Sequence, residues 1–70
     1  MQDILKVVGK RIGILRREKG WSQDVFADRS GFHRSYVGAM ERGEKNLTVK
    51  TLKTVADTFG VRIRDLVSDV

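Results

Sequence analysis

Hydrophobic residues recur with helical spacing in five segments of this chain, and no segment has a convincing strand pattern. The first segment extends from about Asp3 to Lys19, and Gly20 directly after it is a natural place for a helix to stop. Its apolar face consists of Ile4, Leu5, Val8, Ile12 and Leu15. The pattern therefore predicts an all-α protein that begins with a long helix.

Two shorter segments follow, and a single glycine, Gly31, joins them. A sharp turn at this point requires a left-handed backbone, which glycine adopts without a steric penalty. Ala27 falls where the two helices would cross, so its methyl group lets them approach, and Val37 faces back into the angle between them. The third helix begins near His33 and ends before Gly43. This arrangement is typical of a helix-turn-helix.

The last third of the chain predicts two more helices. Thr48 can cap a fourth helix that stops at Gly60, and a short fifth helix follows. More apolar residues compete for burial here than five short helices need internally. We therefore expect a two-fold interface between the fourth and fifth helices, with Val61, Ile63 and Val67 as candidates. The competing residues are Val49, Leu52, Val55, Phe59, Val61, Ile63, Leu66, Val67 and Val70.

Length and composition limit the choices further. The 70 residues predict a single domain, residues 1–70, near the lower size limit for a core that is stable without disulfides or bound metal. A net charge of +5 and a sequence pI near 10.1 favour an anionic partner. The absence of cysteine fits a reducing cytoplasm. The apolar start of the chain is interrupted by charges, so we expect neither a signal peptide nor a membrane-spanning helix.

The third helix has a polar outer face that suits hydrogen bonds to phosphates and base edges. Arg34, in its first turn, matches the O6 and N7 acceptors of guanine; the alternative is an exposed arginine paired with a nearby acid. Tyr36 can touch base edges or form a partly buried wedge between helices. His33 lacks partners at ligand spacing, so helix capping or a phosphate contact is favoured over a metal. The outward set is His33, Arg34, Ser35, Tyr36 and Arg42.

Three runs carry a family resemblance over nearly the whole chain: GKRIGILRREKGWSQDVFA, SGFHRSYVGAMERG and LKTVADTFGVRIRDL. In order and spacing they resemble the Cro/repressor type of helix-turn-helix protein, often called Xre-like. This implies a compact five-helix bundle of the lambda-repressor-like type that binds DNA. The HRSYVG segment and the asparagine-leucine-threonine step after ERGEK look most like controller proteins of restriction-modification systems.

Three positions depart from the family pattern. Leu47 stands where the family loop commonly carries proline. Gly38 and Ala39 lie where relatives often place polar side chains that read bases. We therefore expect Arg34 and Ser35, and not these two positions, to make most of the base contacts.

The resemblance also implies roles for individual residues. Gln23 would hold a phosphate together with the amides of its helix, and a plain exposed glutamine is the alternative. Arg16 and Glu41 would form an internal ion pair that fixes the first helix to the end of the third. The loop after the third helix could straddle a DNA strand, with a solvated charged loop as the alternative. The predicted DNA-binding residues are Ser22, Gln23, His33, Arg34, Ser35, Tyr36, Ala39, Arg42, Lys45 and Asn46.

We predict a transcription regulator that binds double-stranded DNA as a homodimer on a palindromic operator, because one recognition helix spans too few base pairs to discriminate alone. The alternative is an antitoxin-like protein-interaction module. No enzyme is expected: His33 and Ser35 point about 200° apart on one helix and cannot share a proton. We expect no cofactor, metal or small-molecule ligand. RNA polymerase is a further candidate partner, which could contact the acidic residues Asp24, Asp28 and Glu44. The alternative is that these residues form a solvated face without a partner.

Overall fold

The computed structural model describes residues 3–68, which form five α-helices and no strand. The predicted helix boundaries agree with the observed ones to within about one residue. Val70, one of the apolar residues predicted to compete for burial, lies outside the described residues. The helices are α1 (Ile4–Glu18), α2 (Gln23–Ser30), α3 (Arg34–Glu41), α4 (Val49–Phe59) and α5 (Ile63–Val67).

Short polar side chains begin three of the helices. The carboxylate of Asp3 accepts from the amide of Leu5 at 3.1 Å at the start of α1. The hydroxyl of Ser22 accepts from the amide of Val25 at 3.1 Å, and Thr48 caps α4 in the same way. Each bond satisfies one of the amides that a helix start otherwise leaves without an acceptor.

His33 occupies the N-cap position of α3, but its side chain makes no capping hydrogen bond. His33 therefore has the predicted capping position but does not cap the helix with its side chain. Residues that cap well carry an oxygen close to the backbone, whereas the rigid ring of histidine holds its nitrogens farther away. The ring is exposed, and a phosphate contact by His33 stays a prediction.

Two glycines end helices in the left-handed conformation that their positions require. Gly31 has φ of +84° between α2 and α3, and Gly60 has φ of +73° after α4. At both places the glycine amide donates a hydrogen bond to a carbonyl oxygen of the preceding helix. The sharp turn predicted between α2 and α3 is confirmed.

The core lies between all five helices and is built around stacked aromatic rings. Phe26 and Phe59 stack at 4.7 Å between centroids, and Trp21 covers Phe59 at 5.8 Å. Val37 is completely buried, as predicted, in the angle between α2 and α3. The fully buried large side chains are Phe26, Phe59, Ile12, Met40, Leu66, Val37 and Val55.

The helices α1 and α3 cross in close contact at Gly9. A Cβ atom at this position would lie 2.7 Å from the carbonyl oxygen of Glu41, a backbone atom that cannot move aside. The missing side chain therefore lets α1 support the inner side of α3. None of the helices described is long and apolar enough to span a bilayer.

Candidate nucleic-acid interface

A buried ion pair holds the end of α3 against α1. Arg16 donates from Nε to Oε2 of Glu41 at 2.7 Å and from Nη2 to Oε1 at 3.0 Å. Its third donor, Nη1, bonds the carbonyl oxygen of Trp21 at 2.8 Å. The two side chains are only 11% and 10% exposed. The hydrogen bonds that Arg16 donates to Glu41 raise the pKa of Arg16, so the guanidinium stays charged. The contact expected from the family resemblance is present.

Gln23 joins this buried pair from the start of α2. Its side-chain nitrogen donates to Oε1 of Glu41 at 3.1 Å, and the residue is half-buried. The alternative of a plain exposed glutamine is therefore wrong, because Glu41 provides an acceptor that sequence spacing did not indicate. A phosphate contact by Gln23 stays a prediction, since the amide group has a second N–H to donate.

In the first turn of α3, Arg34 pairs with Asp24 of α2. The arginine Nε lies 3.4 Å from Oδ1 of Asp24, and the two side chains are 54% and 80% exposed. The pairing alternative set beside guanine recognition is thus observed in the free protein. An exposed pair of this kind is weak and exchangeable, so base reading by Arg34 stays a prediction.

Arg42 forms a second exposed pair, with Glu44, just after α3. Its Nε donates to Oε2 of Glu44 at 3.0 Å. This hydrogen bond raises the pKa of Arg42 and lowers the pKa of Glu44. Asp24 and Glu44, considered above as contacts for polymerase, therefore each hold an arginine of the outer face. The sequence analysis allowed for an acid paired with Arg34 but did not identify Asp24, because no spacing rule connects the two, and it missed the pairing of Arg42 with Glu44.

A shallow cavity of about 310 Å³ lies beside α3 and is open to solvent. It brings together predicted contact residues from the helix and from the loop after it. Tyr36 is half-buried, with its ring 5.2 Å from that of Phe32 in the turn, so the predicted partial burial is observed. A base contact by Tyr36 stays a prediction. The lining residues are His33, Ser35, Tyr36, Ala39 and Lys45.

Other predicted contact residues differ in how much surface they offer. Ala39 is only 7% exposed but borders the cavity, so it offers little surface, and its contact with DNA stays a prediction. Ser22 is exposed, but its hydroxyl is already used as a helix cap. Lys45 and Asn46 are exposed in the loop. Within residues 3–68, no group of three acidic, histidine or cysteine side chains could hold a metal ion.

Comparison with known proteins identifies the class that this arrangement defines. The Helix-turn-helix family model matches residues 12–66. The chain belongs to the helix-turn-helix family of transcriptional regulators. It is 44% identical over 66 residues to y4dJ, an HTH-type transcriptional regulator of Sinorhizobium fredii, with 94% of this chain and 86% of that protein covered.

Two solved structures resemble this fold closely. The restriction-modification controller protein C.AhdI of Aeromonas hydrophila has a TM-score of 0.84 and 39% identity, with 89% of this chain and 94% of that chain covered. The biofilm master regulator SinR, solved in complex with DNA, has a TM-score of 0.79 and 32% identity, with 84% and 95% covered. The predicted all-α five-helix fold and the Cro/repressor-type resemblance are confirmed.

Proposed function

We propose that this protein regulates transcription by binding a palindromic operator in duplex DNA as a homodimer. One observation carries the proposal: the Arg16–Glu41 pair fixes the end of α3 against α1, while Arg34 and Arg42 stay exposed to solvent. A rigid helix with guanidinium groups on one face suits the major groove, where arginine matches guanine. The net charge of +5 adds attraction to phosphates.

The two-fold interface would lie on α4 and α5. Val49 is 74% exposed at the start of α4, and Val61, Ile63 and Val67 are each partly buried against the protein's own core. Their remaining apolar surface would be covered in a dimer. Two recognition helices would then read two half-sites and gain the discrimination that one helix lacks.

A controller role in a restriction-modification system is the specific regulation that we propose. The likeness to C.AhdI supports it, since most of each chain is matched at 39% identity. An inverted repeat directly upstream of the coding region, beside genes for a nuclease or a methylase, would be expected. Control of a promoter would place the protein with the DNA, in the cytoplasm, and activation would add a contact with RNA polymerase.

The test is a mobility-shift titration of a duplex that carries the upstream region, with a scrambled duplex as the comparison. The expected result is a specific shift at much lower protein concentration, with occupancy that rises more steeply than linearly because dimerisation and binding are linked. Sedimentation should show a dimer in the same concentration range. A protein that binds both duplexes equally would contradict the proposal and favour the protein-interaction alternative.

A matched pair of variants tests the interface. Val61→Lys should shift sedimentation toward the monomer and weaken operator binding, while Ile14→Lys, on the exposed side of α1, should change neither. Circular dichroism would establish that both variants keep their helices. Equal effects of the two substitutions would contradict a dimer through α4 and α5.

A further inference from the structure

Two arginines of the outer face converge on a glycine in the middle of α3. Arg34 lies four residues before Gly38 and Arg42 four residues after it, so all three share one side of the helix. A Cβ atom built on Gly38 would lie 3.2 Å from Nη1 of Arg34 and 3.1 Å from Nη1 of Arg42. Both guanidinium groups therefore lie over the place where any other residue would carry a side chain.

Each of the two arginines also faces a carboxylate on its Nε side. Arg34 directs its Nε toward Asp24, and Arg42 directs its Nε toward Glu44. In each arginine the Nη1 atom is then left beside Gly38. The two carboxylates also offset the repulsion between two positive charges that meet at one point.

Glycine is unfavourable inside a helix, and α3 has only eight residues. A Cβ at Gly38 would be tighter against both arginines than most real Cβ contacts, so each guanidinium group would have to shift by a few tenths of an ångström. The missing side chain therefore does not stabilise the helix, but it leaves space for the two arginine side chains.

We propose that Gly38 is a positioning residue that sets Arg34 and Arg42 side by side to recognise two guanines in adjacent base pairs. Each guanidinium matches the O6 and N7 acceptors of one guanine. Adjacent stacked bases are about 3.4 Å apart. Both Nη1 atoms lie within 3.2 Å of one point, so one guanidinium group can face each of two adjacent base pairs. The inference rests on the proposed function, because it assigns a base preference to the same surface.

The experiment begins with selection of bound duplexes from a randomised library by the full-length protein. The preferred half-site should contain guanines in two adjacent base pairs. Gly38→Ala should unfold at the same or a higher denaturant concentration than the original protein, yet lose at least tenfold in its preference for that duplex over duplexes with either guanine replaced. Unchanged preference in Gly38→Ala would overturn the inference.

The same substitution in a variant without the two arginines distinguishes a positioning role of Gly38 from a methyl group that merely blocks contact with DNA. In protein that already carries Arg34→Ala and Arg42→Ala, the added methyl group should change affinity for any duplex less than twofold, measured at low salt. If Gly38→Ala weakens binding equally in both backgrounds, the methyl group blocks docking itself and the inference fails.

A measurement without DNA keeps this inference distinct from the proposed function. In the free protein, nuclear Overhauser contacts should join the α-protons of Gly38 to the side chains of Arg34 and Arg42, and absence of these contacts would overturn the positioning role. Failure to enrich any duplex from the library would instead refute the proposed function, together with the base preference that depends on it.

Discussion

Two pairs of arginine with a carboxylate meet at the end of α3, an inner pair against α1 and an outer pair that faces solvent, and they differ in burial. On the inner side, Arg16 and Glu41 are about nine-tenths buried and share two short hydrogen bonds. On the outer side, the side chains of Arg42 and Glu44 are 60% and 57% exposed. Glu41 and Arg42 are neighbours in sequence, yet burial makes one a structural contact and leaves the other available to a ligand.

The difference between the two sides follows from solvation. A buried charge that loses its partner has no water to replace it, so the pair must remain intact for the fold to persist. An exposed pair exchanges its partner for water or a phosphate at little cost, and salt screens it further. The inner pair therefore positions the recognition helix, whereas the outer arginines are available for exchange with DNA.

The largest expected effect is on stability and comes from the inner pair. Glu41→Ala should lower the free energy of unfolding by about 3 kcal/mol or more, because Arg16 is left buried without its carboxylate. The double replacement Arg16→Met with Glu41→Leu should cost less than the sum of the single replacements. Chemical denaturation of the original protein, Glu41→Ala, Arg16→Met, Glu41→Leu and the double replacement measures this. If the losses of Arg16→Met and Glu41→Leu add up to that of the double replacement, the two residues do not interact.

Replacement of an outer arginine should reduce recognition of the operator and leave the fold intact. Arg34→Ala should reduce discrimination against single-base changes in the operator by about 1 to 3 kcal/mol, because a bidentate contact to guanine is lost. Its unfolding midpoint should match that of the original protein, since Arg34 is half exposed. Binding to the operator, its variants and random duplex provides the test. An equal loss on all of them would make Arg34 a phosphate contact.

Replacement of Lys45 should weaken DNA binding without changing sequence specificity. Lys45 is exposed at the cavity edge, and its flexible point charge suits a phosphate, which carries no base identity. Lys45→Ala should weaken binding to all duplexes alike and reduce the slope of log affinity against log salt by about 0.9 per subunit. A salt series with Lys53→Ala, on α4, as the control measures this slope. A change in base preference would contradict the assignment.

The smallest expected effect is a pH dependence from the outer pair. The hydrogen bond from Arg42 lowers the pKa of Glu44 in the folded protein, so its contribution to stability is present above the ordinary glutamate pKa of about 4.3. That contribution is lost as the pH falls through the lowered value. Glu44→Gln should therefore flatten the acid limb of the stability profile slightly. A profile identical to that of the original protein would show that the pair adds nothing.

Local rules account for most of the fold and for little of the site. The helix starts at Ser22 and Thr48 and the left-handed turn at Gly31 were predicted because each depends on atoms within a few residues along the chain. Partners far apart in sequence were not predicted from spacing. Asp24 meets Arg34, and Gln23 reaches Glu41, only because α2 lies against α3.

The sequence by itself determined the five helices, the turn between α2 and α3 and the polar outer face, because helical periodicity and glycine conformations are local properties. Tertiary structure alone decided that Gln23 bonds a buried carboxylate, that Ala39 is covered and that two arginines meet over Gly38. Long side chains can reach several partners of similar energy. Which partner they take depends on distances between helices, and those distances exist only after the core has packed.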